Sequence, residues 1–501
     1  MKKKILVIHP EGNIFNNPNL YEILVFLNKN YNVSVLIPKI EINQNNKDKK
    51  PPCKIIEYSN IYNEENLIFQ SSMLIDFLER YLLYDYDFVI GVDRLGIYLT
   101  FVIHSIYGIK YGYISYEIFF EKESSKEFKK IEKHACENIE FAIVQDEQRG
   151  LNLHKENNIA LDKMIYIPVA GSKKYKYKKN YFVYDVLNIE YSKKMLIYTG
   201  SIASWSCFEL LFEQSTIPQD WVLVIHDRYG NSFDKLKKIV NTIPNNVYFL
   251  DIELTSNHDM HKILHSADLG LALYCTDFTS IYTGKNIGDL GLSSGKISTY
   301  LQNGLPIITT YNEMLLEHIA NYDIGYMIKD IAQLDEILAH YINKKQYHDD
   351  CLALFDKVLS FNNYKNSLLL SIESALAYTK IEKKLCSLIK LERTGVNQFM
   401  TNRKKLEFLR KYNFLFSFIQ KLNETYVIYG NGTIGKTIQA LIADKVIGYV
   451  DMADEKHHPL NLKNMQYDKI IISVLGREEE IIKYLTQDLG VDINKIITLE
   501  I

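Results

Sequence analysis

The sequence lacks paired cysteines, long apolar runs and an excess of either charge. Its 6 cysteines are scattered without a Cys-x-x-Cys pair, which argues against a disulfide scaffold or a thiolate zinc site and fits a reducing compartment. No stretch reaches the ~20 apolar residues of a membrane span, and the run after the N-terminal lysines is too short for a secretory signal. A net charge of −3 offers no general attraction to nucleic acid. We expect a cytoplasmic protein with no nucleic-acid partner.

The length and composition are those of a multidomain globular protein. The 501 residues are 47% hydrophobic and 24% charged, which suffices for about three domains at roughly 150 residues each. Short apolar runs alternate with amphipathic stretches, a pattern typical of βαβ units and parallel sheets. Strands are predicted at 4–9, 32–36, 87–91, 111–115, 141–145, 164–168, then at 195–199, 221–226, 246–251, 268–274, 305–309, 325–328, and finally at the start of the segment 425–442 and at 446–450, 469–474 and 495–499. The stretch 40–52 is predicted to be an exposed loop.

This order of elements predicts an α/β protein with two tandem doubly wound Rossmann-like domains that face a cleft, plus a small C-terminal α/β Rossmann-like domain. The expected boundaries are 1–170, an interdomain connection at 171–194, 195–378, a helical linker at 379–422, and 423–501. Open parallel sheets bind ligands at the carboxyl ends of their strands, so we expect the principal site in the cleft.

The segment from Gly291 to Thr310 carries the strongest binding signal. It places small residues before a helix, a lysine in the first helical turn, and then Gly-x-Pro before a buried strand. Backbone N–H groups at Ser294 and Gly295 are expected to face an anion with the helix dipole behind them, and Lys296 adds a positive charge. The alternative for Lys296 is a solvated lysine on the helix surface.

Here the sequence resembles the retaining nucleotide-sugar glycosyltransferases of the glycosyltransferase-B fold, family 4-like, over roughly residues 1–378. One branch of that family has Ser-Gly-Lys at the helix start, as at Ser294 to Lys296, and Gly-x-Pro after the helix. Further similar strings run from Tyr198 to Ile202, Val224 to Gly230, Ser266 to Leu273, Ile114 to Ile118 and Val144 to Arg149.

The resemblance implies transfer of a sugar from a nucleotide-diphosphate donor to a hydroxyl of a glycan acceptor, in surface polysaccharide biosynthesis and with retention of configuration. No metal or other cofactor is implied, and Lys296 and Arg228 are expected to stabilise the leaving diphosphate. Arg228 could equally be an ordinary solvated loop arginine. The expected donor-binding residues are Gly200, Ser201, Arg228, Ser293, Ser294, Gly295, Lys296 and Thr299.

One departure from the family pattern leaves the stereochemistry open between retaining and inverting. Many members carry a ribose-binding Glu five residues before the glycine of Gly-x-Pro, where this chain has Thr299, and a paired Glu near the position of Gly291. Either ribose recognition differs here, or Glu253 or Asp289 substitutes. A noncatalytic nucleotide-sugar-binding or scaffold protein with a degenerate transferase core is therefore the alternative function.

The acceptor side is expected to involve Asn13, Tyr116 and Glu117, which follow two strands of the first domain. Asn13 lies in the His-Pro-Glu-Gly-Asn loop after the first strand. Glu117 is the candidate for orienting or deprotonating the acceptor hydroxyl. A carboxylate at this position is otherwise a helix cap or an ion-pair partner.

The C-terminal unit carries Gly430-Asn-Gly-Thr-Ile-Gly435 between a strand and a helix, with Asp451 at the end of the next strand. Gly430, Gly432 and Gly435 would allow a pyrophosphate to approach, and Asp451 stands where ribose hydroxyls are held. We expect a second nucleotide here, with sugar modification by this unit as a bifunctional alternative.

Two basic stretches, Lys173 to Lys179 and Arg403 to Phe418, mix cations with aromatic residues. They could rest on anionic lipid at the inner face of the membrane, or be a solvated linker and a packed helix.

Overall fold

The protein is described by a computed structural model at residues 2–12, 14–15, 17–38, 51–58, 86–227, 231–252, 257–390, 422 and 424–499. Parallel strands form three sheets of seven, six and four strands in these residues. The α/β class and the doubly wound arrangement predicted from the sequence are confirmed. None of the described helices is long and apolar enough to cross a membrane.

The first sheet has the strand order β3-β2-β1-β4-β5-β6-β7. Its strands are β1 (Lys4–Ile8), β2 (Asn32–Pro38), β3 (Lys54–Tyr58), β4 (Phe88–Val92), β5 (Tyr111–Ile114), β6 (Ala142–Val144) and β7 (Met164–Tyr166). Its helices are α1 (Pro18–Asn30), α2 (Asp93–Tyr107), α3 (Lys126–Cys136) and α4 (Glu147–Asn157). The order reverses between β1 and β4, and such a switch point opens a ligand crevice beyond the carboxyl ends of the strands.

The second sheet has the order β10-β9-β8-β11-β12-β13 and the same reversal, between β8 and β11. Its strands are β8 (Lys194–Thr199), β9 (Trp221–His226), β10 (Val247–Phe249), β11 (Leu269–Ala272), β12 (Ile307–Thr310) and β13 (Gly325–Ile328). The accompanying helices are α5 (Phe182–Leu187), α6 (Phe208–Gln214), α7 (Ser232–Lys237), α8 (Asn257–Leu264), α9 (Lys285–Gly288), α10 (Gly295–Gln302), α11 (Glu313–Asn321), α12 (Gln333–His340) and α13 (Lys345–Leu354).

The chain crosses between these two units twice, and the crossings lie side by side. The outgoing chain passes Gly171, and the returning chain donates a hydrogen bond from Phe361 N to Gly171 O over 3.1 Å. The helix α14 (Lys365–Lys390) then packs on the first unit through buried Leu368 and Ile372. The predicted helical linker 379–422 lies outside the described residues from 391 to 421.

The third sheet, of order β15-β14-β16-β17, is joined to the first unit by a shared apolar core. Ile438 and Ile442, on and just after one helix of the third unit, cluster with Ile131 and Ala135 of α3. The elements are β14 (Tyr426–Tyr429), α15 (Thr433–Leu441), β15 (Val446–Val450), β16 (Lys469–Ile472), α16 (Glu478–Lys483) and β17 (Ile496–Thr498).

Candidate active site

The first two units meet where the carboxyl ends of their central strands face each other. The Asp146 carboxylate accepts the Leu292 amide over 2.8 Å. The Asn286 side chain pairs with the backbone of Ile118 through two hydrogen bonds of 2.6 and 2.9 Å. These contacts fix the 3-10 turn Gly291–Ser293 and the start of α10 against the first unit.

Helix α10 begins at the segment that carried the sequence signal. The Ser294 hydroxyl caps the helix by accepting the Ile297 amide over 3.0 Å, and it also contacts the Tyr274 hydroxyl. The first amides of a helix, here those of Gly295 and Lys296, have no intrahelical acceptor and carry the positive end of the helix dipole. The local geometry is therefore that of an anion-binding helix start.

The Lys296 side chain is buried, with only 6% of its surface exposed. Its ammonium lies 3.7 Å from the ring centre of Tyr198, 4.8 Å from Tyr274 and 5.7 Å from Trp205. The expected alternative of a solvated surface lysine is wrong for this side chain. Aromatic ring faces attract a cation through their quadrupoles, which offsets part of the cost of burying it.

Gly200 brings the loop after β8 into contact with this lysine. Its φ is +143°, and a methyl group on it would lie 3.1 Å from the Lys296 Cε. Both facts favour glycine here, since most residues avoid this backbone region and a side chain would press on the lysine. The structure thus places Gly200 and Lys296, which are distant in sequence, side by side.

A pocket of about 300 Å³ opens next to these residues, at the carboxyl ends of β11 and β12. Its size is at the lower end of small-molecule sites. The lining is formed by Tyr274, Cys275, Thr276, Ile287, Gly288, Leu290, Thr310, Tyr311 and Asn312.

One wall of this pocket contains a disulfide between Cys207 and Cys275, with a Cα–Cα distance of 5.5 Å. The scattered spacing of the cysteines predicted no disulfide scaffold and gave no sign of this single bond. The two residues meet because β8 and β11 are neighbours in the sheet, so the loops after them converge.

The other donor-side residues predicted from the sequence are placed around the same loops. The Ser201 carbonyl accepts the Tyr198 hydroxyl over 2.6 Å. The Ser293 hydroxyl donates to Leu290 O, and the Thr299 hydroxyl donates to Gly295 O over 2.6 Å. Both hydroxyls thus bond to their own local backbone.

Two predicted donor-side residues, Arg228 and Glu253, lie outside the described residues. The Asp289 carboxylate accepts a hydrogen bond from the side-chain amide of Asn152, in the first unit, over 2.9 Å. It therefore takes part in the contact between the two units.

On the first unit, Glu117 lies just beyond β5 and is half-buried. Burial raises the pKa of its carboxyl, the Arg149 charge lowers it and the Glu11 charge raises it, with a net pKa of about 7. The Glu117 amide and the Tyr116 amide both donate to one oxygen of Asp93, over 3.0 and 2.7 Å. A carboxyl with this pKa can exchange a proton near neutral pH, which suits a general base.

Arg149 and Asp93 are the residues of this face that the sequence analysis did not single out individually. The Arg149 guanidinium is 1% exposed and donates to Gln145 Oε1, Tyr116 O and Asp289 O over 2.7, 2.6 and 3.2 Å. Asp93 stands at the carboxyl end of β4 with a φ of +52°. Its position after a buried strand is a signal that could have found it.

The other acceptor-side predictions are Tyr116 and Asn13. The Tyr116 hydroxyl is buried and donates to Asn19 Oδ1 over 2.7 Å, so this side chain supports the wall of the cleft. Asn13 lies outside the described residues.

The glycine-rich turn of the third unit has close backbone packing. Gly430 has a φ of +101°, and a methyl group on Gly435 would lie 2.0 Å from Gly430 O. A methyl group on Gly432 would meet no atom within 4 Å. The two oxygens of Asp451 accept the amides of Asn431 and Ala453 over 2.7 and 2.9 Å.

Comparisons with known proteins agree with this architecture. Residues 256–361, which include the pocket and Lys296, match the model of the C-terminal domain of glucosyltransferase 3-like proteins. Curated proteins give no match to the chain.

Several solved structures share the fold. Sucrose-phosphate synthase from Thermosynechococcus elongatus is 14% identical, with a TM-score of 0.58 over 75% of this chain and 100% of that one. HepE from Anabaena, in complex with UDP and glucose, is 11% identical, with a TM-score of 0.58 over 74% and 100%. A glycosyltransferase from Rickettsia africae is 11% identical, with a TM-score of 0.52 over 75% and 99%. The predicted glycosyltransferase-B fold is confirmed.

Proposed function

We propose that this chain is a glycosyltransferase that takes a sugar from a nucleoside diphosphate donor and transfers it to a hydroxyl of a glycan acceptor. The observation that carries the proposal is the buried Lys296 ammonium beside Gly200 at the start of α10. Nucleotide sugars leave a negatively charged diphosphate, and a fixed cation with helix amides is suited to receive it.

A uridine diphosphate donor is the first candidate, because HepE, which shares the fold, has been solved with UDP and with UDP-glucose. In this proposal Lys296 and the amides of Gly295 and Lys296 stabilise the leaving group. Gly200 leaves the space that the Lys296 side chain occupies. These groups supply the positive charge, so we propose that transfer is metal-independent.

The acceptor is proposed to bind against the first unit, with Glu117 as its base or orienting group. The half-buried carboxyl has a pKa of about 7 and lies just beyond the carboxyl end of β5. From the resemblance we also propose that transfer retains the configuration of the sugar. We further propose that the protein acts in surface polysaccharide synthesis at the inner face of the membrane.

The basic stretch from Lys173 to Lys179 forms contacts within the protein: Lys174 pairs with Asp356, and Lys179 pairs with Asp268.

The donor site is tested by titrating the full chain with UDP and a panel of nucleotide sugars in a calorimeter. Lys296→Met removes the charge and keeps much of the apolar stem. A charged hydrogen bond is worth ~1.5–3 kcal/mol, so we expect the UDP dissociation constant to rise roughly tenfold to a hundredfold. Lys345→Met, at an exposed site on α13, is the matched control. Equal UDP affinity in the Lys296→Met variant would refute the assigned site.

A second candidate function is a nucleotide-sugar-binding protein without turnover. The observation in its favour is that Thr299, at the position of the family's ribose-binding Glu, uses its hydroxyl for a bond to Gly295 O. Radiolabelled donor separates the candidates, since the transferase releases sugar to acceptor or water and the binding protein releases none.

We also propose that the third unit binds a second nucleotide at its glycine-rich turn. Support comes from the open space above Gly432 and from Asp451 beside the turn amide of Asn431. In the full chain, Asp451→Ala should weaken one of two nucleotide-binding events and leave the Lys296-dependent one unchanged. A single binding event in the unaltered chain would contradict this proposal.

A further inference from the structure

The Cys207–Cys275 disulfide connects the two loops that form the aromatic wall around Lys296. Cys207 follows the 3-10 turn Ser204–Ser206 that contains Trp205, and Cys275 directly follows Tyr274. The Cys275 amide also donates to Trp205 O over 2.9 Å. The covalent bond and the hydrogen bond together hold the two loops at one distance.

The rings beside these cysteines depend on that distance. Trp205 and Tyr274 are parallel within 5°, with their centres 5.9 Å apart, and both lie within 6 Å of the Lys296 ammonium. The loops arise from different strands, and loops without such a link are the more mobile parts of a fold. The other contacts between the loops are noncovalent: the Cys275–Trp205 and Ser204–Asp277 hydrogen bonds and the stacking of Trp205 on Tyr274. The disulfide is the covalent link between these two loops.

The two cysteines differ in exposure. Cys207 is 2% exposed, whereas Cys275 is half-buried and lines the pocket. The pocket side, where Cys275 lies, is therefore the side from which we expect a reductant to approach the bond. Three other cysteines, Cys53, Cys136 and Cys351, are buried free thiols, and burial raises the pKa of each, which makes them poor nucleophiles.

We propose that the Cys207–Cys275 pair is a redox-controlled clasp on the donor site. In the disulfide form it positions Trp205 and Tyr274 beside Lys296, and the site binds the nucleoside diphosphate. In the dithiol form the two loops separate and the affinity falls. This inference rests on the proposed donor site and adds its regulation.

Opening the clasp is a thiol–disulfide exchange with a dithiol reductant of the thioredoxin class. One thiolate of the reductant attacks the Cys275 sulfur, the bond to Cys207 breaks, and Cys207 leaves as a thiolate that takes up a proton. The second thiol of the reductant then displaces Cys275. The protein gains two thiols, and the reductant becomes a disulfide, so two electrons are transferred. A nucleotide in the pocket covers Cys275 and should slow the first step.

The test compares UDP affinity of the full chain before and after reduction by dithiothreitol. Holding two side chains in one geometry is worth about tenfold in affinity, so reduction should raise the UDP dissociation constant about tenfold and reoxidation should restore it. The Cys207→Ser/Cys275→Ser double variant should bind UDP with the affinity of the reduced chain, and this affinity should not change when the reductant is added. Cys53→Ala is the control and should respond like the unaltered chain. Saturating UDP should slow the appearance of the two thiols in a thiol-titration assay.

The outcomes separate the clasp from the donor site. Unchanged UDP affinity on reduction, with weakened binding in Lys296→Met, would overturn the clasp and keep the donor site. Unchanged affinity in both cases would overturn the clasp and the site together. Because reduction of the unaltered chain is reversible and needs no substitution, a folding defect in the double variant does not remove the test.

Discussion

Replacing Glu117 by Gln should make the protein more stable at alkaline pH while making it a poorer catalyst. Burial raises the pKa of this carboxyl from 4.5 to about 7, with Glu11 adding to the rise and Arg149 opposing it. Asp93 faces the same turn and accepts two of its amides, those of Tyr116 and Glu117. A pKa difference of this size corresponds to ~3 kcal/mol. Because Glu117 is only half-buried, solvent screening reduces the expected effect to ~1–2 kcal/mol.

The sign follows from the raised pKa. Below about pH 4.5 the carboxyl of Glu117 is protonated in both the folded and the unfolded chain, and it adds no pH dependence. Between pH 4.5 and 7 the unfolded chain releases the proton first, so stability falls as the pH rises. Above about pH 7 the folded protein bears the full free-energy cost of ionising Glu117. The neutral amide side chain of the Glu117→Gln variant avoids this cost, so the gain in stability should appear at pH 8.5 and be absent at pH 4.

Urea unfolding at pH 4 and pH 8.5 measures this gain, and Glu336→Gln, at an exposed site of α12, is the control. Loss of a general base should lower kcat/KM about 10²- to 10⁴-fold and remove the acid limb of the pH profile near pH 7. An equal or lower stability of Glu117→Gln at pH 8.5 would refute the assigned pKa. Retained activity with an unchanged profile would refute its role as a base.

Three further substitutions test the packing of the site and of the third unit. Gly291→Ala places a methyl group 2.0 Å from Asp146 Oδ2, at a backbone φ of +53°. This substitution should lower the free energy of unfolding by ~2 kcal/mol or more. An unchanged melting temperature would contradict this expectation. Arg149→Lys keeps the charge but loses the fork of donors, so kcat/KM should fall about tenfold or more, and full activity would show that the fork is dispensable. Gly435→Ala forces the turn against Gly430 O, so limited proteolysis should cut the third unit while sugar transfer continues, and a protease-resistant third unit would contradict the expected clash.

The fold was largely predictable because its central strands are buried on both faces and appear as short apolar runs. Phe88–Val92 and Trp221–His226 are buried throughout. The strand that was not predicted, Lys54–Tyr58, pairs with β2 at the edge of the sheet as far as the structure describes the chain, and it carries Lys54 and Glu57. Charged residues are usual on edge strands, and they remove the apolar run on which prediction depends.

The candidate site was predictable only in part. The motif from Ser294 to Lys296 is local, so the helix start was visible in the sequence. The partners that Trp205 and Cys207 meet, Tyr274 and Cys275, lie on another loop about 70 residues away. That meeting is fixed by the order of strands in the sheet, which no local pattern encodes.

The side-by-side crossings of the chain determine how the cleft can open. Gly171 and Phe361 are hydrogen-bonded to each other, and the Asn362 side chain donates to Ser172 O over 2.9 Å. Both covalent connections between the first two units thus pass through one small region. A rotation of the second unit about an axis through that region would widen the distance between Glu117 and Lys296 without stretching either connection. In the proposed function, entry of the donor and exit of the nucleotide would then depend on the angle between the two units.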